Sequence, residues 1–178
     1  MKVRLVSTVE DADSIIVSAR DSAERALARL RAFPEDASQA LHALWSMKVA
    51  PIGCDPLDAE QPLNLIEQLN QTFTYIASAR AAKILLSLHP DATPFTLNLG
   101  TAGGSDIVSE SGAGVAAEVF AAVTTKSNGK LAKDMEKVRK SSKFHKYVFF
   151  MCPGYETGRQ QQLEKHFGVQ IWAVGEKM

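Results

Sequence analysis

The sequence predicts an α/β protein built on a mixed sheet. From about residue 60 onward, helical and strand-like stretches follow one another in the order α, β, β, β, α, β, α, β. Three short runs rich in Val, Ile, Ala and Thr are joined by glycine-rich turns, and helices cross over to the later strands. Hairpin-joined strands followed by helical crossovers require both antiparallel and parallel pairing in one sheet, with helices laid against it. The expected organisation is an N-terminal helical extension over residues 1–57 and a mixed-sheet core over 58–178.

Taken in order, Ser7 or Thr8 followed by Glu10, Asp11 and Asp13 marks a helix start. Hydroxyl caps and early acids satisfy the free amides and the positive end of the dipole. This helix is expected over Glu10–Ala32, ending before Phe33-Pro34. A second, capped by Asp36, is expected over Ala37–Val49, and the Pro, Gly and Asp of PIGCDP then read as a loop. The longest helix is expected over Glu60–Leu88, with Pro62 in its first turn and Pro90 closing it. Ile66, Leu69, Phe73, Ile76 and Ala77 fall on one side of it, Glu67 and Asn70 on another, and Arg80 on the apolar side. Strands follow in FTLNLG, SDIVS and VAAEVFAAVTT, then a helix capped by Asn128 and running to Lys140, a strand in KYVFFMC, a helix over Thr157–Phe167 and a last strand in VQIWAVG.

Bulk properties narrow the class. The 178 residues suffice for one ordinary core, and 46% hydrophobic with 22% charged residues excludes wholesale disorder. No apolar run approaches the ~20 residues of a membrane helix and no signal-peptide core is present, so a cytoplasmic location is expected. Two cysteines, Cys54 and Cys152, make no disulfide framework and have no metal-ligand spacing. The four histidines are scattered, GTAGGS joins two strands and lacks a following Lys-Ser/Thr, and no G-x-S-x-G elbow occurs.

Two residues carry the functional expectation. Asp106 and Glu118 are charges inside otherwise apolar strand segments, where an unpaired carboxylate costs several kcal/mol of desolvation. Each needs a counter-charge, a hydrogen bond or a cation. Helix, three-stranded antiparallel piece, acid on the second strand, acid on the third, helix, strand: this pattern resembles the PD-(D/E)XK nuclease superfamily, the restriction-endonuclease-like fold, over about residues 60–152. The resemblance implies an αβββαβ core flanked by helices, with Asp106 and Glu118 catalytic and binding Mg²⁺, and phosphodiester hydrolysis on DNA. Glu67 is a further candidate ligand. Ser105-Asp106 stands where Pro-Asp would be, and Phe120 stands where the motif lysine of Glu-X-Lys would be. Phenylalanine can neither donate a hydrogen bond nor lower the pKa of a metal-bound water. Lys126, roughly 26 Å along the strand at ~3.3 Å per residue, cannot replace it.

A basic cluster is the second functional feature. Residues 126–146 hold eight basic side chains against two acids, a net six positive in a chain whose formal net charge is zero. Such a cluster attracts phosphate backbones without reading sequence. Lys126, Lys130, Lys133, Lys137 and Lys140 are the candidate nucleic-acid-binding residues, the helical ones expected to point to solvent opposite Leu131, Met135 and Val138. The alternative to an active nuclease is a catalytically inactive relative that binds nucleic acid or protein, with Glu118 paired to Arg80 or to a lysine. Residues 10–49 are a candidate self-association surface, with a homodimer as the expected product.

Overall fold

A computed structural model describes residues 2–32, 39–100, 103–109, 111, 114–164 and 168–176. Its elements are β1 (Val3–Val6), α1 (Val9–Arg31), α2 (Ala40–Val49), β2 (Gly53–Asp55), β3 (Asp58–Leu63), α3 (Leu65–Leu88), β4 (Phe95–Asn98), β5 (Ile107–Ser109), β6 (Val115–Ala121), α4 (Lys130–Arg139), β7 (His145–Met151), β8 (Gly158–Arg159) and β9 (Val169–Ala173). The described residues are thus mixed α/β, with four α-helices among them. No helix among the described residues is long and apolar enough to cross a membrane.

The chain forms two compact units, residues 1–13 with 77–178, and residues 14–76. The boundaries fall inside α1 and α3, which differs from the expected division at residue 57. One reason is β1, absent from the sequence reading: it pairs antiparallel with β4, Val3 opposite Asn98, so the N-terminal residues belong to the sheet.

The first unit holds a seven-stranded sheet in the order β1-β4-β5-β6-β7-β9-β8. Strands β4, β5 and β6 form an antiparallel meander, while β6, β7 and β9 run parallel. Helix α4 makes the crossover from β6 to β7, and its Met135 and Val138 pack on Ala116, Phe120, Val148, Phe150 and Ile171. Side chains alternate along a strand, so Tyr147, Phe149 and Met151 face the other way. There the alanine-rich half of α3 (Ala77, Ala79, Ala81, Ala82) is buried, and Arg80 reaches Met151. The Thr8 cap is present: Thr8 Oγ1 accepts from the Asp11 amide, and Asp11 Oδ2 accepts from the amides of Ser7 and Thr8.

Two expected elements of this unit differ. Residues 157–163 form β8, paired antiparallel to β9, and a short 3₁₀ turn at Gln161–Leu163, not a helix; residues 165–167 lie outside the description. Gly158, at φ 145°, breaks helical geometry at the point where the helix was to begin. Helix α4 has Gly129 at its N-cap with no side-chain hydrogen bond, so Asn128 does not cap it. The Asp36 cap, the Phe33-Pro34 terminator and parts of both glycine-rich turns (101–102, 112–113) fall on residues outside the description.

In the second unit the helix expected from Glu60 starts at Leu65, because Asp58–Leu63 pairs with β2 as a hairpin. The true start is a capping box: Asn64 Oδ1 accepts from the Glu67 amide and Glu67 Oε2 accepts from the Asn64 amide. The hairpin is tied to the helices through buried Gln68, whose Oε1 accepts from the Cys54 amide (2.9 Å) and whose Nε2 donates to Ser22 and Thr72. Gln68 lies so close to Gly53 that a Cβ there would meet its Oε1 at 1.8 Å, so only glycine fits. Tyr75 donates to buried Asp55. Both cysteines are free and buried. Gln68→Ala strands the Cys54 amide in the interior. It is expected to lower unfolding free energy by at least about 2 kcal/mol in urea titration, with Leu in place of Gln no better, since it too offers no acceptor.

Candidate acid and lysine site

Glu118 sits in the middle of β6 on the face covered by α4, flanked on that face by Ala116 and Phe120. The Ile107–Ala117 pairing puts Asp106, one residue before β5, opposite Glu118. Asp106 Oδ2 accepts from the Val119 amide at 2.8 Å, which fixes the carboxylate beside the strand. The two acids picked out by sequence are therefore neighbours, and the Asp106 charge is felt at Glu118.

The helix supplies the remainder. Lys137 donates to Glu118 Oε2 at 2.5 Å, and Lys130 donates to Asp134 Oδ1 at 2.7 Å. Asp134, one turn before Lys137, is itself buried. The expectation that these lysines all face solvent is corrected here. Lys130 and Lys137 lie at the border of the buried stripe, not opposite it, and a four-carbon stem carries the ammonium from that border over to the strand. Lys133 and Lys126 are exposed, and Lys140 pairs with Glu136 on the outer face at 3.6 Å.

Arg80, weighed as a partner for Glu118 or Asp106, instead donates to the Gly175 carbonyl at 2.7 Å and lines a 780 Å³ cleft with Tyr155, Thr157, Glu156 and Glu176. Glu67 belongs to the other unit, where its carboxylate is engaged in the α3 cap. Phe120 stacks on Phe150 with centroids 6.0 Å apart, so the residue in the motif lysine's place is a core side chain.

The electrostatics are those of acids held out of water. Burial, then the nearby Asp106 charge, pushes the Glu118 carboxyl up to about 7, against the lowering by Lys137 and the Ser105 hydroxyl. Burial likewise raises Asp106 and Asp134. Partial burial pulls the Lys137 ammonium down, but its hydrogen bond to Glu118 and the charges of Asp106 and Asp134 leave it above the ordinary lysine value. Two buried oxygens, Glu118 Oε1 and Asp134 Oδ2, have no hydrogen-bond partner among the described residues. An unsatisfied buried carboxylate oxygen costs about 1–3 kcal/mol or more, so the site has an unmet demand for a donor or cation. Among the described residues no three His, Cys, Asp or Glu side chains gather as a ready metal cage. A cation would therefore rest on one or two carboxylates with water completing its shell, which is how Mg²⁺ is usually held.

Asp134 and the inward reach of Lys137 escaped the sequence reading. The available sign was the Lys130, Asp134, Lys137 spacing of i, i+4, i+7, which places all three on one side of α4.

No protein-family model, curated protein sequence or solved structure matches the chain. Its chemistry rests on this geometry.

A carboxyl with a folded pKa raised from 4.5 to about 7 binds its proton more tightly in the folded state than in the unfolded one. Its contribution is full below pH 4.5 and is lost as pH rises through 7. Wild-type stability is expected to fall across that window, and Glu118→Gln to fall less, as read from urea midpoints at a series of pH values. Equal slopes for the two proteins would contradict the burial of an ionising Glu118.

Proposed function

We propose that this chain is a Mg²⁺-dependent phosphodiesterase acting on DNA, with a core of the PD-(D/E)XK kind in which the motif lysine comes from α4. The observation that carries the reading is the contact between Lys137 and Glu118. The sequence lacks a lysine two residues after the strand acid, and a lysine nevertheless reaches that acid through space. The succession α3, antiparallel meander, α4, parallel β7 supports the same reading, as does the placement of Asp106 against Glu118.

In this reading Asp106 and Glu118 hold the cation, with Glu118 Oε1 as the oxygen still lacking a partner. Bound there, Mg²⁺ would stabilise charge on the phosphodiester and acidify a coordinated water. Lys137, with its side chain half exposed, places an ammonium beside Glu118 where it can orient the attacking water and offset charge at the phosphate. Asp134 holds Lys130 on the same face. The exposed Lys133 and Lys126 offer further positive charge to the DNA backbone.

The inactive alternative is favoured by one observation: the Glu118 side chain is only 1% exposed. In that reading Lys137 merely neutralises it, and the fold serves binding alone.

Plasmid nicking in Mg²⁺ or Mn²⁺ separates the two. Wild type is expected to nick supercoiled DNA, Glu118→Gln to be inactive, and Lys137→Ala to be slower by on the order of 100-fold or more. A wild type that leaves plasmid intact with both metals sinks the enzyme reading. Cation binding is also expected to raise the thermal midpoint above pH about 7, where Glu118 is ionised, and to do so much less well below it. A Mg²⁺ effect independent of pH, or retained in Glu118→Gln, would place the ion elsewhere.

A further inference from the structure

Four rings meet where α3 ends and β7 begins. The His145 ring lies 4.2 Å from the His89 ring and 4.9 Å from that of Phe144, centroid to centroid, and His89 stands edge-on to Tyr147 at 5.6 Å. His89 follows directly on Leu88, the last residue of α3, and its Nε2 is 2.6 Å from the Tyr147 hydroxyl. Tyr147 is buried and both imidazoles are half-buried, with Phe144 exposed beside His145. The contact pins the end of α3 to the first residues of β7. It is made by the side-chain type whose charge changes between about pH 5 and 8.

We propose that His89, His145 and Tyr147 form an acid-released latch, closed while at least one imidazole is neutral and opened when both are protonated. One proton is tolerated, because the Nε2–H of a charged His89 still donates to the Tyr147 oxygen. A second is not: two imidazolium rings in contact repel, and only parting them relieves the repulsion. The surroundings offer little to offset it. Among the described residues, Val115 and Ser109 on the strands beside His145, and Gln170 beside Tyr147, are uncharged. Arg159 of β8 acts on Tyr147 as a further positive charge. Lys146 donates to the Arg139 carbonyl, on the α4 side of the sheet. Asp91, in the turn after α3, is the acid nearest in sequence and is exposed. Burial, then the His145 charge, holds the His89 imidazole below its ordinary value, with no carboxylate among the causes. A base lowered in this way binds its proton less tightly folded than unfolded. The stability it confers is therefore full above the ordinary value of 6.5 and is lost as pH falls below it. This runs opposite to the Glu118 effect, so the latch is read locally and not from global unfolding.

The test is an NMR titration of the histidine rings of the full chain from about pH 8 to 5, with amide hydrogen exchange followed over the same range. His89 and His145 are expected to titrate in two coupled steps, the second proton bound on the order of tenfold or more weakly than the first, while His42, exposed on α2, titrates in one. The reporting amides are those of His89 and His145, which donate to the Leu85 and Gly114 carbonyls. Relative to the Val148 amide in the middle of β7, their protection is expected to fall on the order of tenfold across the second step. His145→Gln removes the second charge, so His89 should then titrate in one step nearer its ordinary value and the protection of its amide should no longer change with pH. Independent single-step titrations of His89 and His145 in wild type overturn the proposal, and this result needs no variant to fold. So does a coupled titration with unchanged protection, or an acid loss of protection that persists in His145→Gln.

Discussion

One buried charge organises the sheet unit. Glu118 is placed by the alternation of β6 on the face that α4 must cover, and an ionised carboxyl there is tolerable only with a cation beside it. Lys137 provides that charge, and with it a constraint on the crossover helix. The position of α4 is set by Met135 and Val138 in the core and also by the need to deliver an ammonium to the middle of a strand. The same alternation assigns Phe120 to the core, where it stacks on Phe150. An aromatic two residues after the acid and a lysine on the helix are thus two halves of one arrangement: the strand position is given to packing, and the helix border supplies the charge.

The acids also work against one another. Asp106, Glu118 and Asp134 each feel burial, and Asp106 raises the other two, so the cluster carries more negative charge than Lys130 and Lys137 fully satisfy. The orphaned oxygens of Glu118 and Asp134 mark where the deficit lies. A core stabilised only by complementary pairs would have no such remainder. The excess is one ground for the function proposed above, since strongly perturbed groups concentrate where chemistry is done.

Much of this was legible in the sequence where local physics and tertiary physics agree. The Thr8 and Asp11 cap, the strands β4 to β7 and β9, and the anomaly of an acid inside β6 all follow from periodicity and composition. The misses have physical causes. Pro62 fits a helix's first turn, yet it lies in β3, where the register of a short hairpin outweighs the local signal; the Asn64 and Glu67 capping box was the better guide. Glu67 read as a ligand candidate because a polar side and a capping carboxylate look alike without the backbone. Strand β1 is four residues long with two of them exposed, too brief for an alternation to register. Gln161 to Glu164 have helical composition, but Gly158 and the pairing of β8 with β9 decide otherwise. Lys137 was lost because a helical wheel records where a Cα lies and not how far four methylenes extend.

The discontinuity of the sheet unit has a kinetic corollary. Strand β1 finds β4 only across all of residues 14–76, a closure whose entropy must be met before four residues of pairing return anything. The meander and the β6-α4-β7 crossover close far shorter spans and can assemble without it. The edge next to β4 is therefore expected to be completed after the centre of the sheet and to exchange its amides with solvent before the centre does.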